Sequence, residues 1–305
     1  MTTSRACARL CIAVASGLGC GGTNGNGSGG SDAAFGGSAS GASSGASSSG
    51  GVDSSIGCAA SCDGGAPASS LRTGVSPSDN FDLSGYTLTI PVNKTGGVTG
   101  VATIISSAAL AGGYTSTFFY TGSDGAMVFY APSNGASTIM DGNPDHSRSE
   151  LREIFDGGDG SVDWTNNAGG TMTATCRVDR STIDSDEVTI GQIHAEDAPF
   201  VLLEYSATSS EIRVAMYAKT DSSSPAVTNL VPNFDGGSPI SYSLGWHKST
   251  VSIVVNGMSF DLPTGSSWND VPVYFKAGAY SAAPSHGNPA GDATQVSFYA
   301  LAITH

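Results

Sequence analysis

Basic residues are scarce in this chain. Its 305 residues include 12 Lys and Arg against 26 Asp and Glu, which gives a formal net charge of -14 at pH 7. This balance argues against nucleic-acid binding, because proteins that bind nucleic acids usually carry a basic surface. The local field matters more than the total charge, however. Four of the eight arginines fall within residues 148–180, so the sequence still allows a basic pocket on an acidic protein.

Long apolar runs and helical periodicity are also missing. The apolar run near the N-terminus covers only residues 10–16, far fewer than the roughly 20 residues that cross a bilayer. No segment after Ser70 keeps a helical apolar period over three turns. Short alternating runs separated by turn residues take their place, and such runs predict β-strands.

Residues 1–20 predict an export signal. Arg5 and Arg9 precede the apolar run, and small residues lead to Cys20, a pattern typical of secretory signals. The small residues before Cys20 also resemble a bacterial lipoprotein cleavage site, although Gly17 stands where leucine is usual. Lipidation of Cys20 and plain secretion are both open. We expect a protein that is secreted or lipid-anchored at the bacterial outer surface.

Residues 21–70 predict a disordered linker rich in Gly and Ser. They contain almost no large apolar side chain and cannot bury a core. Cys58 and Cys62 near the end of the linker are able to pair with each other in an exported protein. No further metal ligands lie close to them in sequence. Residues 71–305 remain, and their length suits one large all-β domain.

The predicted domain contains many short strands. Hairpin signals at Ser123-Asp-Gly125 and Asn256-Gly257 each separate two alternating runs. The regular spacing favours a β-sandwich or jelly roll of two antiparallel sheets, one of which keeps an open polar face. The other predicted strands cover residues 86–90, 148–155, 171–178, 187–194, 200–205, 212–218, 274–280 and 295–303.

Several chemically versatile residues receive a structural interpretation. Cys176 lies in an alternating pattern that is typical of a buried small hydrophobe rather than a nucleophile. The three tryptophans are predicted to pack in the core rather than to bind sugar, and four histidines are predicted to be structural or merely exposed. These residues are Trp164, Trp246, Trp268, His146, His247, His286 and His305.

Polar side chains gather on one face of three predicted strands, since successive strand residues point to opposite faces. If the three strands share one sheet, its open face combines cations, an amide, an imidazole and phenols, with Gly278 leaving room beside them. The residues are Arg148, Glu150 and Arg152 on the first strand, Gln192 and His194 on the second, and Tyr274, Lys276 and Tyr280 on the third.

Paired carboxylates that would suit glycoside hydrolysis are missing from these strands. A retaining glycosidase needs two carboxylates about 5 Å apart, but Glu150 and Glu153 fall on opposite faces of their strand. Glu150 lies between Arg148 and Arg152, and we expect it to pair with and orient their guanidiniums. Hydrolysis by paired carboxylates is therefore disfavoured.

The same residues suit β-elimination on a uronic-acid polymer. This reaction removes the C5 proton beside a carboxylate and expels the glycosidic oxygen from C4. Arg148 and Gln192 can stabilise the dianion-like intermediate much as an oxyanion hole does. His194 can accept the proton, and Tyr280 can protonate the leaving oxygen. We expect no metal and no other cofactor.

Three motifs resemble those of a known family. Arg148-Ser-Glu-Leu-Arg152, Gln192-Ile-His194 and Tyr274-Phe-Lys-Ala-Gly-Ala-Tyr280 are similar, in order and separation, to the signature motifs of the jelly-roll alginate lyases (polysaccharide lyase family seven). The similarity extends over residues 80–305. One departure is Ser281-Ala282, where the family often has Asn-Gln, and this difference leaves the substrate preference open.

The resemblance implies a β-jelly roll with a substrate groove across its concave sheet. It implies catalytic roles for Arg148, Gln192, His194 and Tyr280, with Tyr280 serving as both base and acid on mannuronate. It also places Lys276 in the groove. The isoleucine between Gln192 and His194 is associated in the family with accepting guluronate. We assign substrate binding to Glu150, Arg152, Lys276 and Tyr274.

The expected function is thus that of a monomeric, endo-acting alginate lyase that accepts guluronate-containing blocks. Two alternatives stay open. One is a lyase on another polyuronate, such as glucuronan. The other is a non-catalytic carbohydrate-binding jelly roll, which would leave the complete Arg, Gln, His and Tyr set without a purpose.

Overall fold

The structure, a computed structural model, describes residues 71–138, 146–155, 163–183, 187–196, 198–221, 224–281 and 291–305. These residues belong to one unit that spans Ser61–His305. The predicted export signal, the linker, Cys20 and the Cys58–Cys62 pair lie outside the described residues, as does His286.

Strands account for most of the described chain. They are β1 (Tyr86–Ile90), β2 (Thr103–Ile105), β3 (Phe119–Thr121), β4 (Met127–Pro132), β5 (Arg148–Glu153), β6 (Gly170–Arg180), β7 (Glu187–His194), β8 (Pro199–Ser206), β9 (Glu211–Met216), β10 (Ala226–Val231), β11 (Ile240–His247), β12 (Thr250–Val255), β13 (Met258–Pro263), β14 (Tyr274–Ser281) and β15 (Ala293–Thr304).

Two antiparallel sheets form from these strands, as predicted. The first sheet has eight strands in the order β10-β9-β8-β7-β14-β5-β1-β2. The second has seven in the order β13-β12-β11-β6-β15-β4-β3. Strands from distant parts of the sequence therefore lie side by side, and β7, β14 and β5 occupy the middle of the first sheet.

Helical structure is limited to short pieces within the described ranges. The helix α1 (Ser107–Ala111) begins at Ser106, whose Oγ accepts a hydrogen bond from the Ala109 N–H at 3.3 Å. Two single 3-10 turns cover Pro77–Asp79 and Ser266–Trp268. None of the described helices is long and apolar enough to cross a membrane.

The hairpin between β12 and β13 shows how local sequence sets the strand register. Asn256 and Gly257 both have positive φ angles, 48° and 83°, as a two-residue turn matching the twist of a hairpin requires. Val255 and Met258 then pair directly across the turn. The Asn-Gly signal is therefore confirmed as a hairpin.

The core lies between the two sheets and contains the aromatic residues predicted to pack there. Trp164, Trp246 and Trp268 are each at most 1% exposed. The ring of Phe200 lies 4.8 Å from that of Trp246 and stacks on that of Trp268 at 4.3 Å. Cys176 is fully buried with a free thiol whose pKa is raised by that burial, which confirms its interpretation as a core residue.

A β-bulge in β7 changes which face its residues occupy. The pairing with β8 shifts by one residue between Thr189 and Gly191, so Thr189 and Gln192 can lie on the same side despite their odd separation. The bulge leaves the Ile190 carbonyl to a partner in the other sheet, since the Tyr242 hydroxyl donates to it at 2.9 Å. This buried hydrogen bond links the two sheets beneath the centre of the first one.

Candidate active site

The three polar strands lie side by side, as predicted from their sequences. In the pairing of β14 with β5, Tyr280 lies opposite Arg148 and Lys276 lies opposite Arg152. In the pairing of β14 with β7, Lys276 lies opposite Gln192. Residues that are up to 132 positions apart in sequence therefore face one another on a single sheet.

A cleft of about 600 Å³ opens over these strands. Seven of the eight residues assigned from sequence line it, and Glu150 is the exception. The lining comprises Arg148, Arg152, Gln192, His194, Tyr274, Lys276 and Tyr280, together with Thr89, Thr138, Glu196, Pro199, Leu202 and Tyr217.

Glu150 lies beneath the floor of the cleft rather than in its wall. Its side chain is 1% exposed, and one carboxylate oxygen lies 2.5 Å from Lys276 Nζ. The other oxygen accepts a hydrogen bond from Gln192 Nε2. The prediction that Glu150 pairs with Arg148 and Arg152 is therefore wrong, because its two carboxylate oxygens bind Lys276 on β14 and Gln192 on β7 instead. The Glu150 side chain does not line the cleft, and its assignment to substrate binding stays a prediction.

The contacts of Glu150 fix the orientation of two cleft residues. A glutamine amide has two N–H donors, and Glu150 takes one of those of Gln192, leaving the other for a ligand. The same carboxylate holds the ammonium of Lys276, which is only 9% exposed. Burial lowers the pKa of Lys276, and Glu150 opposes that shift. Glu150 thus acts as a positioning residue for both neighbours.

Gly278 allows β14 and β5 to approach each other at this point. It pairs directly with Glu150. A Cβ atom at position 278 would lie 2.4 Å from the Ser149 carbonyl oxygen and 2.7 Å from the Glu150 Cα. The glycine predicted to leave room in the site does so by letting the backbones come close.

Arg148 and Tyr280 form a stacked pair at one side of the cleft. The Arg148 guanidinium carbon lies 4.4 Å from the centroid of the Tyr280 ring, a cation–π arrangement. The ring of His146 meets the Tyr280 ring edge-on at 5.5 Å, and the His146 carbonyl accepts from Arg148 Nε at 3.4 Å. His146, interpreted from sequence as structural or exposed, thus borders the site.

Arg152 and Tyr274 form a similar pair farther along the cleft. The Arg152 guanidinium carbon lies 3.8 Å from the Tyr274 ring centroid. Asp163 binds the same guanidinium at 3.1 Å. Burial raises the pKa of Asp163 while Arg152 counteracts that shift. Arg152 therefore reaches the cleft already paired with a carboxylate from the segment after β5.

His194 is held in its neutral form. Burial lowers its pKa to about 3, and the positive charges of Lys276, Arg148 and Arg152 contribute to the shift. Its Nδ1 contacts the Ala195 carbonyl oxygen. Because a carbonyl can only accept, Nδ1 carries the ring proton and Nε2 keeps a free lone pair.

Carboxylates contribute little to the surface of the cleft. Among its described lining residues the one carboxylate belongs to Glu196, which is exposed. Three cations, those of Arg148, Arg152 and Lys276, line the same cleft. The cleft can therefore attract an anionic ligand although the whole chain is acidic.

Sequence analysis missed some residues that line the cleft. Leu202 lies on β8 and Tyr217 directly follows β9, and the sequences of these two strands are typical of ordinary core strands. Thr89 lies on β1, opposite Glu150. Polar and apolar residues alternate from Tyr86 to Ile90, and this pattern predicts that Thr89 points away from the core. No sequence feature, however, showed that β1 borders the polar strands.

Comparison with known proteins identifies the family. The family model for alginate lyase (alginate lyase 2) matches residues 81–305. An alginate lyase from Klebsiella pneumoniae is 30% identical over 285 residues, which cover 75% of this chain and 91% of that protein. The range matched by the family model includes β5, β7 and β14, which form the cleft.

Solved structures give the same result. The crystal structure of an alginate lyase from Pseudomonas aeruginosa superposes with a TM-score of 0.65 at 27% identity, covering 74% of this chain and 100% of that one. A family 7 alginate lyase solved as a His-to-Asn, Tyr-to-Phe variant with the substrate GGMG gives a TM-score of 0.66 at 26% identity, with coverage of 76% and 97%. The predicted jelly roll is confirmed, and the chain belongs to the alginate lyase 2 family.

Proposed function

We propose that this protein cleaves alginate by β-elimination in the cleft over β5, β7 and β14. The observation that carries the proposal is the meeting of three cations, an amide and a neutral imidazole on one face of one sheet. The family to which the chain belongs supports the same activity. We propose a residue of the cleft for each step of the reaction.

Substrate binding begins with the carboxylate beside the proton that is removed. Arg148 can hold that carboxylate through two N–H groups, and Gln192 can donate the amide N–H that Glu150 leaves free. Lys276 adds a second positive group nearby. These donors stabilise the negative charge that builds up when the C5 proton leaves, and they do so best in a cleft that excludes water.

His194 is the proposed base for guluronate. Its free Nε2 lone pair and its neutral state allow it to accept the C5 proton. A base with a pKa of about 3 would be weak, but the bound substrate corrects this. Its carboxylates cancel part of the field of Lys276, Arg148 and Arg152, so substrate binding raises the pKa of His194 toward the range in which it can work.

Tyr280 is the proposed acid for the leaving oxygen, and both base and acid on mannuronate. Its ring is held between the Arg148 guanidinium and the edge of His146, which fixes the position of its hydroxyl. The relative crystallised with GGMG carries substitutions of a histidine and a tyrosine. We propose that His194 and Tyr280 are the corresponding pair in this chain.

We propose endo cleavage and acceptance of guluronate-containing blocks. A family 7 relative has been solved with the product GGG, which supports the second point. Arg152, Lys276 and Tyr274 are proposed to bind the chain on either side of the cleaved bond. We further propose that the protein acts as a monomer after export, with or without a lipid on Cys20.

Incubation with separate polyguluronate, polymannuronate and glucuronan tests this function. Elimination leaves an unsaturated product that absorbs in the ultraviolet, so absorbance follows the reaction directly. We expect a rise on the alginate blocks. A rise on glucuronan alone would keep the mechanism and change the substrate, whereas binding without any rise, from folded protein, would favour a non-catalytic carbohydrate-binding module.

A further inference from the structure

A second cavity adjoins the cleft on the far side of Tyr280. Its volume is about 210 Å³. We call it the Arg213 pocket and define it by His146, Glu187, Glu204, Arg213, Tyr217 and Tyr280. Tyr217 and Tyr280 also line the cleft, so the two cavities meet along a shared wall. A polymer chain lying in the cleft can therefore continue into the pocket.

The Arg213 pocket lies in line with the site across the sheet. Tyr280 pairs with Thr189, Thr189 pairs with Glu204, and Glu204 pairs with Arg213. Three strand-to-strand steps of about 4.8 Å place Arg213 about 14 Å from Tyr280 along this row. A substrate must therefore extend well beyond the cleaved bond to contact Arg213.

Two carboxylates hold the guanidinium of Arg213. Glu204 accepts from Arg213 Nε at 3.1 Å, and Glu187 contacts Nη2. The Glu204 side chain is 6% exposed and that of Arg213 is 16% exposed. Burial raises the pKa of Glu204, with Glu187 contributing and Arg213 opposing the shift. The three side chains together carry more negative than positive charge.

This charge balance distinguishes the Arg213 pocket from the cleft. A uronate carboxylate placed there would face two carboxylates for one guanidinium. Sugar hydroxyls suit the pocket better, because Glu187 and Glu204 can accept from them and Arg213 has N–H groups left over from its five donors. Tyr217 provides an aromatic surface beside these polar groups.

We infer that the Arg213 pocket is a distal subsite that binds the hydroxyl-bearing edge of a sugar residue in the polyuronate chain, with its carboxylate turned away. The inference rests on the proposed function for the identity of the chain. Glu187 is its most accessible acceptor, since its side chain is 33% exposed. The subsite favours long substrates over short ones without contacting the reacting atoms.

Kinetics on a chain-length series test the inference. The full-length protein and a Glu187→Ala variant are assayed on oligouronates from trimer to octamer. Glu211→Ala is the matched control, because Glu211 also lies on the first sheet at the start of β9 but is not part of the pocket lining. Glu187→Ala removes hydrogen bonds to a charged acceptor, which are among the stronger hydrogen bonds. We therefore expect the ratio of kcat/KM for the octamer over the trimer to fall by about ten-fold or more in Glu187→Ala only.

A rise of that ratio in Glu187→Ala would overturn the inference, since it would mean that the pocket repels the chain. A ratio equal to that of Glu211→Ala would overturn it as well. Calorimetric binding of the octamer, with and without Glu187→Ala in a Tyr280→Phe background, gives the same comparison without turnover. If the wild-type protein does not cleave any uronate but Glu187→Ala weakens octamer binding, the subsite stands and the proposed reaction fails.

Discussion

At the scale of single residues, the site depends on a few side chains whose charge states are set by their neighbours. Glu150 holds Lys276 and Gln192 from below, and the cations of the cleft act on His194 in turn. Arg148 and Arg152 each stack on a tyrosine. Because these groups interact, the substitution of one residue changes the protonation or the orientation of its neighbours. The choice of variant therefore decides what an experiment measures.

Tyr280→Phe removes the proposed acid and keeps the ring that packs against Arg148. We expect turnover on both alginate blocks to fall by about 10²-fold or more, the usual contribution of a general acid. Product absorbance under saturating substrate measures the change. Tyr130→Phe, on the second sheet, serves as the matched control. Near wild-type turnover in a folded Tyr280→Phe protein would rule out this assignment.

The titration of His194 tests its electrostatic environment. Burial and three nearby cations lower its pKa to about 3 from an ordinary value of 6.5, so the imidazole stays neutral until the solution is strongly acidic. NMR of the ring protons in the free enzyme should give a midpoint well below 6.5. Lys276→Met should move the midpoint upward, because it removes a positive charge and leaves Glu150 uncompensated. A wild-type midpoint near 6.5 would contradict the burial of this ring.

The pH dependence of the rate shows whether substrate binding changes the pKa of His194. The acidic limb of kcat/KM reports the free enzyme, and that of kcat reports the complex. Since bound carboxylates oppose the cations around His194, the limb of kcat on polyguluronate should lie at higher pH than the free-enzyme titration. If the acidic limb of kcat had the same midpoint as the free-enzyme titration, the bound substrate would not change the electric field at His194.

At the scale of elements, the bulge in β7 connects the fold to the site. It places Thr189 in line with Tyr280 and turns Gln192 and His194 into the cleft. The carbonyl that it frees at Ile190 accepts from Tyr242 on β11. The second sheet therefore supports the irregular strand on which two of the proposed catalytic residues lie.

Tyr242→Phe tests this support. The variant keeps the packed ring and leaves a buried carbonyl without its donor, which costs about 1–3 kcal/mol. Urea denaturation should show a decrease of that size in the free energy of unfolding. The same Tyr130→Phe control should change the free energy of unfolding by less than about 0.5 kcal/mol, because Tyr130 is only half-buried. An equal change in both variants would mean that the link between the sheets contributes little.

Local patterns predicted most elements but not all of them. Alternation and turn residues predicted β7 over residues 187–194 and the β12–β13 hairpin. The strands β2, β10 and β11 were missed. β2 has only three residues and β10 is exposed along most of its length, and both are edge strands that, among the described strands, pair only with the strand before them in sequence. β11 does alternate apolar and polar residues from Ile240 to His247, so its sequence carries the pattern of a strand.

The site shows the same limit. The three polar strands could be predicted from alternation because each places its side chains at every second position. The partners of Glu150 could not, because they depend on the order of strands in the sheet. The Arg213 pocket was also beyond prediction, since the bulge between Thr189 and Gly191 reverses the faces that simple alternation assigns.

At the scale of the whole molecule, the folded unit begins before the family match at residue 81. Leu71 packs against the core, and Asn80 binds Arg72 from both sides, accepting from its N–H at 3.0 Å and donating to its carbonyl at 2.7 Å. The Asn80 amide also donates to the Gly125 carbonyl at 3.1 Å. Residues 71–80 are therefore part of the domain.

Truncation tests where the domain begins. A chain starting at Leu71 should keep the thermal midpoint and the kcat of the full-length protein, because residues 21–70 contain almost no large apolar side chain with which to join a core. A chain starting at Phe81 should melt at a lower temperature, since it loses Leu71 and the Asn80 contacts. Scanning calorimetry measures both. Equal midpoints for the two truncations would show that residues 71–80 do not stabilise the fold.

The buried thiol of Cys176 provides a way to observe motion of the entire sandwich. It is fully enclosed between the sheets, and the other cysteines of the chain precede residue 71. A thiol-modifying reagent can reach its sulfur only when the sheets separate. The rate at which the peptide containing Cys176 gains the reagent's mass therefore measures how often the native protein opens, without any denaturant.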